Sequence, residues 1–411
     1  MRYLPYSNSM RVKAPCQWYC YTRFMTVIET AVALCAVGAE KTVSNEIKKL
    51  NLSVIEGGFG RVRFKTDLEG LYRALMGCRV ADRILLETSR FRASDFDALF
   101  EGVRRLPWEE YIPASMGLIV SKVRTNRSKL TAETSIQAVV HKAAADRICA
   151  KRKINRLPEN TDAANLRVYI EKDEVSVLLD LSGEPLFKRG YRTHGGIAPL
   201  RETTAAAIII GAGWRRKFPL YDPFCGSGTI VIEAAMYAWD IAPGIGRRFA
   251  LDDLLLGNEN TGRKVREEFL GKPDFSRQVR IGGSDSDSAS IAASKANMER
   301  ALALVSKKGL SSKLFKVLPM NEAKADDFIG VNGDKGFLIT NPPYGRRLGD
   351  PETAEKTYKE MGLLAGNFPG WKMGIISDHS GFESFFGRKA DTCREITNGA
   401  IDSYFYQYEK L

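Results

Sequence analysis

The tetrapeptide Asn341-Pro342-Pro343-Tyr344 combines residue types that can hold an amino group attached to a planar ring. The Asn341 side-chain carbonyl and a main-chain carbonyl of the turn can each accept a hydrogen bond from one exocyclic amine. The prolines have no N–H and fix φ at about −65°, so those carbonyls are held in place. Tyr344 offers a ring face on which a nucleobase can stack. The motif predicts an amine clamp, although Asn-Pro and Pro-Pro are also ordinary turn signals.

Four predicted strands bring this motif and three other loops to one edge of a sheet. Each strand is a short apolar run that leads into an acidic, glycine-rich or proline-rich loop. The strands are predicted at 217–221, 279–283, 315–318 and 336–340. Strands that alternate with loops and helices are typical of a doubly wound parallel sheet, whose ligands bind outside the carboxyl ends of the strands.

Acidic residues follow the first three of these strands. The loop at 222–228 is glycine-rich but lacks the lysine and hydroxyl of a phosphate-binding loop, and Asp222 suits an ammonium better than a pyrophosphate. Asp285 can accept both hydroxyls of a ribose, as the acidic residue of dinucleotide folds does. Asp327 can accept from an adenine amine while Phe328 stacks on the ring. Each acid alone could equally be a helix N-cap. Together with the clamp they indicate S-adenosylmethionine, which has an amino-acid end, a ribose and an adenine.

The end of the chain predicts an antiparallel addition to this sheet. An apolar strand at 372–377 is followed by Asn398-Gly399, a strong signal for a two-residue hairpin turn. The return arm at 402–408 alternates aromatic and polar residues. We therefore expect a terminal antiparallel strand beside the parallel ones.

The N-terminal half alternates short strands with amphipathic helices. Strands are predicted at 30–37, 61–64, 83–87 and 116–123, helices at 43–50, 68–75, 95–105 and 135–150, and further strands within 166–179. This alternation predicts small α+β units and not one large sheet.

The positive charge is concentrated in the same half. The chain has a net charge of +12, of which +8 falls in residues 1–180, with 29 Lys and Arg against 21 Asp and Glu. Such a field favours a polyanionic partner, although it also serves solubility. A basic strand edge and a basic helix end could hold phosphates, or could be a solvated charged face. The candidate RNA-binding residues are Lys122, Arg124, Arg127, Lys129, Lys142, Lys151, Arg152 and Lys153.

Composition excludes several other classes of protein. Hydrophobic residues make up 44% and charged residues 27%, as in ordinary soluble proteins, and no apolar run approaches the roughly 18 residues of a membrane span. The seven cysteines form no Cys-x-x-Cys pair, and the three histidines are widely spaced. We therefore expect reduced thiols, no metal site, no membrane partner and a cytoplasmic location. Nothing in the sequence indicates an oligomeric state.

Several of these motifs together resemble those of a known family. Residues 187–411 resemble a class I S-adenosylmethionine-dependent methyltransferase of the amino-methylating group, and residues 30–182 resemble a ferredoxin-like segment followed by a THUMP RNA-binding domain. The combination is similar to the bacterial large-subunit ribosomal RNA guanine-N2 methyltransferases of the RlmL/YpsC type. The motifs are Gly190-Tyr191-Arg192, Ala198-Pro199-Leu200-Arg201-Glu202, Asp222-Pro223-Phe224-Cys225-Gly226-Ser227-Gly228-Thr229-Ile230, Glu233-Ala234-Ala235 and Asn341-Pro342-Pro343-Tyr344-Gly345.

The resemblance implies a fold, a division into domains and a set of site residues. The fold is a Rossmann-like, seven-stranded, mostly parallel sheet with a terminal antiparallel hairpin, preceded by α+β ferredoxin-like and THUMP domains. The domains are an unassigned segment at 1–25, a ferredoxin-like segment at 26–75, a THUMP domain at 76–182 and the methyltransferase domain at 187–411. The implied cofactor-binding residues are Thr193, Pro199, Asp222, Pro223, Phe224, Gly226, Gly228, Asp285, Asp327 and Phe328, and the implied catalytic residues are Asn341, Pro342, Pro343 and Tyr344.

The resemblance also implies a substrate, for which the sequence leaves alternatives. The implied reaction is methylation of a guanine N2 in 23S rRNA or a large-subunit precursor. The alternatives are guanine-N2 methylation of tRNA, adenine-N6 methylation, and a non-catalytic RNA-binding assembly factor. Residues 392–395 are less basic than this family usually is before its Asn-Gly turn, and residues 1–25 match nothing in it.

Overall fold

In the part of the chain that the structure describes, two seven-stranded sheets form the framework of the fold, one in each half. The computed structural model describes residues 29–159, 162–192, 200–305, 320–322, 335–343, 351–399 and 401–411. The N-terminal elements are β1 (Glu29–Leu34), α1 (Glu40–Lys49), β2 (Ser53–Gly58), β3 (Arg61–Thr66), α2 (Leu68–Gly77), β4 (Arg83–Arg92), α3 (Phe96–Arg104), α4 (Trp108–Tyr111), β5 (Gly117–Asn126), α5 (Glu133–Arg152), β6 (Ala163–Glu171) and β7 (Glu174–Asp180). The C-terminal elements are α6 (Glu202–Gly211), β8 (Leu220–Asp222), α7 (Thr229–Ala238), α8 (Glu259–Leu270), β9 (Ile281–Asp285), α9 (Ser288–Ala303), β10 (Met320–Glu322), β11 (Phe337–Thr340), α10 (Pro351–Ala365), β12 (Lys372–Ser377), α11 (Phe382–Phe386), β13 (Thr392–Asn398) and β14 (Ile401–Tyr408).

The N-terminal half forms one continuous sheet in the order β2-β3-β1-β4-β7-β6-β5. The prediction that this half would not form one large sheet is therefore wrong, although its first part is a ferredoxin-like unit as expected. Strand β4 joins the two parts, because its residues 83–86 pair with β1 and its residues 85–92 pair with β7. The sequence prediction ended this strand at residue 87, where the apolar run stops. The polar continuation still pairs with β7 past a bulge between Glu87 and Ser89.

The C-terminal half has the predicted doubly wound architecture, with the strand order β10-β9-β8-β11-β12-β14-β13. The five strands from β10 to β12 are parallel, and β14 runs antiparallel to both β12 and β13. The predicted terminal antiparallel hairpin is confirmed. The predicted strand at 315–318 lies outside the described residues, and β10 pairs with β9 just beyond it. Because the parallel strands share a direction, β8, β9 and β11 end at one edge, called the carboxyl edge below.

Helices cover both faces of this second sheet, as a mostly parallel sheet requires. Ile339 of β11 packs into the core that contains α6 and α7. Its neighbour Leu338 points to the other face, where it belongs to a cluster with Tyr358, Met361 and Phe382 of α10 and α11. This double packing gives the strand ends a rigid support.

The two halves are docked against each other through hydrogen bonds between side chains and backbone. Val37 N–H donates to Thr397 Oγ1 at 3.0 Å, and Arg79 Nη2 donates to the carbonyl of Ile241 at 2.7 Å. A Cβ at Gly38, whose φ is +90°, would lie 2.1 Å from the carbonyl oxygen of Glu395. Only glycine allows so close an approach. The N-terminal half is therefore fixed relative to the carboxyl edge.

Candidate functional site

A buried carboxylate lies at the centre of the carboxyl edge. Asp222 is the last residue of β8 and is 1% exposed. Its Oδ1 accepts a hydrogen bond from Thr340 Oγ1 at 2.6 Å and another from the N–H of Phe224 at 3.1 Å. Burial, with the nearby charge of Asp285, raises the pKa of Asp222 to about 7. Among the described residues, no lysine, arginine or histidine forms an ion pair with this carboxylate.

The predicted glycine-rich loop follows Asp222 and is held by Asp285. Gly226 and Gly228 have φ values of +49° and +83°, and Gly228 is the N-cap of α7. The N–H of Gly226 donates to Asp285 Oδ2 at 2.8 Å, and the N–H of Asp287 donates to Oδ1 at 3.0 Å. A carboxylate has about four acceptor positions. Asp285 therefore keeps capacity for the two hydroxyls of a ribose.

The surface beside this loop has room for a ligand. A Cβ built on Gly226 would have no other atom within 4 Å, so the backbone there borders open space. Pro223 is buried and Phe224 is half-buried in the same loop. On its other side the loop packs tightly, since a Cβ at Gly283 of β9 would lie 2.8 Å from the Cβ of Cys225.

The predicted amine clamp begins at the end of β11. Asn341 and Pro343 are half-buried, and Pro342 is buried. Tyr358 of α10 fixes the turn, because its hydroxyl donates to the carbonyl of Pro343 at 3.2 Å. The same hydroxyl lies 3.3 Å from Ser377 Oγ at the end of β12.

One hydrogen bond joins the buried acid to the clamp. Thr340, which donates to Asp222, directly precedes Asn341 in the chain. The bond crosses from β11 to β8, which are adjacent in the sheet. The predicted cofactor loop and the predicted clamp are therefore side by side. Five predicted site residues lie outside the described residues, namely Thr193, Pro199, Asp327, Phe328 and Tyr344.

Comparison with known proteins identifies the family. Residues 189–407 match the family described as RMKL-like, methyltransferase domain (UPF0020), and residues 30–85 match the RlmL ferredoxin-like domain. The chain belongs to the RMKL-like methyltransferase family. It is 34% identical, over 92% of its own length and 95% of the other, to the Bacillus subtilis (strain 168) protein named "Putative RNA methyltransferase YpsC".

Other relatives of this methyltransferase are longer or have known structures. It is 30% identical over 92% of its length to the ribosomal RNA large subunit methyltransferase K/L of Marinomonas sp. (strain MWYL1), but spans only 52% of that protein. It thus covers about half the length of the K/L relatives. The crystal structure of SMU.472 complexed with SAH is similar, with a TM-score of 0.82, 35% identity and coverage of 94% of this chain and 99% of the other. S-adenosylmethionine is the cofactor of this methyltransferase.

The residues of the carboxyl edge fit that cofactor. S-adenosylmethionine carries positive charge on its sulfur and on its ammonium group, and Asp222 is a buried carboxylate without an ion pair among the described residues. The open space beside Gly226 provides room next to an acid, Asp285, that can accept ribose hydroxyls. An anionic pyrophosphate would meet two carboxylates in the same place.

The eight candidate RNA-binding cations lie at the far end of the N-terminal sheet of the methyltransferase. Helix α5 runs along the edge strand β5, where Gln137 Nε2 donates to the carbonyl of Val120 at 2.7 Å. Six of the eight are exposed, and Lys122 and Arg152 are half-buried. The exposed ones are Arg124, Arg127, Lys129, Lys142, Lys151 and Lys153.

Two of the eight cations already have partners in the protein. Arg124 forms an ion pair with Glu133 at 2.8 Å. Arg152 donates to the carbonyls of Ile112 and Pro113, and burial lowers its pKa. The guanidinium of Arg152 therefore supports the chain after α4.

Sequence reasoning missed two residues that shape the site. Thr340 directly precedes the clamp, and its hydroxyl at the end of an apolar strand was an available signal. Tyr358 follows the clamp by fifteen residues, and no sequence pattern connects it to Pro343. Within the described part of the chain, no helix is long and apolar enough to cross a membrane, and no group of three or more His, Cys, Asp or Glu could hold a metal ion.

Proposed function

We propose that this methyltransferase transfers the methyl group of S-adenosylmethionine to the exocyclic N2 of a guanine in 23S rRNA. The observation that supports this most is the Thr340–Asp222 hydrogen bond, because it sets the amine clamp directly beside the cofactor loop. The names of the relatives point to the same substrate class, since one is called an RNA methyltransferase and the other a large-subunit ribosomal RNA methyltransferase.

The clamp would make an aromatic amine reactive by fixing its protons. When bound, S-adenosylmethionine supplies an electrophilic methyl carbon on a positively charged sulfur. The lone pair of an aromatic amine is delocalised into the ring, so the amine is a poor nucleophile. We infer that Asn341 Oδ1 and the carbonyl of Pro342 accept its two protons, since Tyr358 already donates to the carbonyl of Pro343. A more pyramidal nitrogen can then aim its lone pair at the methyl carbon. No strong base is needed, because the amine nitrogen easily loses a proton once it has accepted the methyl group.

The target base has to leave its helix or loop before it can enter the clamp. Enzymes that act on a base extrude it into a pocket and stack it on an aromatic side chain. We propose Tyr344 for that stacking role, and Asp327 with Phe328 for the adenine of the cofactor. We also propose that residues 193–199, which include Thr193 and Pro199, pack over the methionine end.

The N-terminal half would hold the RNA. We propose that the THUMP domain at 76–182, which follows the ferredoxin-like segment at 26–75, binds the phosphate backbone through the exposed cations around β5 and α5. Lys142, Lys151 and Lys153 have no ion-pair partner among the described residues, which leaves them available for phosphates. An enzyme that acts on ribosomal RNA would work in the cytoplasm.

The test is methylation of RNA taken from a strain that lacks the gene. Purified protein and labelled S-adenosylmethionine are added, and the nucleosides of 23S rRNA, 16S rRNA and tRNA are analysed. We expect N2-methylguanosine from 23S rRNA. Label only in tRNA, or in N6-methyladenosine, would retain the chemistry and overturn the substrate. No label in RNA or in a large-subunit precursor would favour a non-catalytic assembly factor.

A further inference from the structure

Asn297, a buried polar residue of α9, has no role in the proposed reaction but contacts the glycine-rich loop. Asn297 is 2% exposed, and its Nδ2 donates to the carbonyl of Ser227 at 3.0 Å. Asp285, which ends β9 just before this helix, accepts from the N–H of Gly226 in the same loop at 2.8 Å. A single strand-and-helix unit therefore holds one N–H and one carbonyl of the glycine-rich loop.

Arg300, one turn further along α9, fixes the orientation of the Asn297 amide. Its Nη2 donates to Asn297 Oδ1 at 2.5 Å. Because a guanidinium is only a donor, it requires the amide oxygen on its side and directs the amide NH2 toward Ser227. The loop carbonyl is thus held by a side chain whose orientation is itself determined.

The same arginine connects the loop to a second segment near the site. Arg300 Nε donates to the carbonyl of Tyr191 at 2.7 Å. Tyr191 is fully buried, and the next residue, Arg192, donates to Thr229 Oγ1 at the start of α7 and to the carbonyl of Leu200 at 3.2 Å. The hydrogen bonds therefore form a continuous path from the loop through α9 and back to the helix that the loop caps.

We propose that Asn297 and Arg300 are positioning residues for the cofactor. They would act by holding the glycine-rich loop at the separation from Asp285 that S-adenosylmethionine requires. A network that served only the stability of the fold would lower the melting temperature without a specific effect on cofactor affinity. Cofactor binding in the absence of RNA separates these two roles, and it does not depend on which RNA the enzyme methylates.

The test uses two substitutions that keep the buried polar character of the network. Asn297→Asp keeps an acceptor for Arg300 but replaces the donor to Ser227 by a carboxylate oxygen. Arg300→Lys keeps the charge but lacks the planar set of donors that reaches two partners. Lys295→Ala, on the exposed face of the same helix, is the matched control. Dissociation constants for S-adenosylmethionine and S-adenosylhomocysteine are measured by titration calorimetry, and circular dichroism confirms folding.

We expect both substitutions to raise the dissociation constants about tenfold, in line with the loss of a buried hydrogen bond. At saturating cofactor, kcat should stay within about twofold of the wild type, and Lys295→Ala should change neither value. Unchanged dissociation constants in the folded variants would overturn the proposal, whatever happens to the melting temperature. A lower kcat with unchanged cofactor affinity would overturn it as well, because the network would then act on the chemical step.

Discussion

We expect the raised pKa of Asp222 to make the affinity for the cofactor depend on pH. Burial raises this pKa to about 7 in the ligand-free protein, so the carboxyl is mostly protonated at pH 6 and mostly ionised at pH 7.5. A positively charged ligand binds the ionised form. The apparent dissociation constant therefore rises as pH falls, by the factor 1 + 10^(pKa − pH). Between pH 7.5 and pH 6 this predicts an affinity about eightfold weaker.

Titration calorimetry from pH 6 to pH 7.5 measures this dependence. The window stays below the point at which the α-amino group of the cofactor loses its proton, at a pKa of about 8. Asp222→Asn is the control, because an amide still accepts from Thr340 but does not titrate. At pH 7.5 this variant should bind S-adenosylmethionine at least tenfold more weakly than the wild type, and its affinity should be nearly constant between pH 6 and pH 7.5. If Asp222 faces the ammonium, S-adenosylhomocysteine should show the same slope, since it shares that group.

Two outcomes would refute this reasoning. A wild-type affinity that is flat between pH 6 and pH 7.5 would mean that Asp222 does not pair with the cofactor, or that its pKa is not raised. The same slope in the wild type and in Asp222→Asn would assign the titration to another group. Glu202 is the obvious alternative, because burial raises its pKa to about 6.

Three further predictions concern the proposed clamp and the proposed RNA-binding surface. Asn341→Ala should abolish turnover and leave cofactor affinity within a few-fold, and equal loss of both would contradict the clamp. Tyr358→Phe removes the donor to Pro343 and should lower kcat roughly tenfold at unchanged cofactor affinity; an unchanged kcat would show that the turn needs no such support. Lys151→Glu should raise KM for RNA and reduce the slope of log KM against log salt by about 1, whereas an effect on kcat alone would contradict a phosphate contact.

The parts of the site that can be predicted from the sequence each depend on residues that are close together in the chain. The loop after β8, Asp285 after β9 and the clamp after β11 each directly follow a short apolar strand, and parallel strands bring their ends together whatever else the fold does. The hairpin at Asn398-Gly399 is predictable for the same reason, because its turn signal lies in two adjacent residues.

The features that the sequence did not predict depend on contacts between distant residues. Strand β4 was predicted too short, because its second half is polar and is recognisable as a strand only from its partner β7. Arg152 belongs to a basic run, but its side chain turns back to the carbonyls of Ile112 and Pro113. Tyr358 and Asn297 act on the site from helices, and nothing in their immediate sequence indicates which carbonyl they bind.

The continuous N-terminal sheet would hold the cations around β5 at a fixed distance from the proposed clamp. Seven strands side by side span roughly 29 Å between the outermost two, at about 4.8 Å per strand. The strand β5, with its cations, lies at one end of that span, and β2 and β3 lie at the other end, near the contact of Val37 and Gly38 with β13. Because β4 belongs to both parts of the sheet, that distance cannot change without breaking strand pairing. An RNA held at the basic end would present one nucleotide to the clamp by its distance along the folded RNA, and the surrounding base sequence would matter less than its shape.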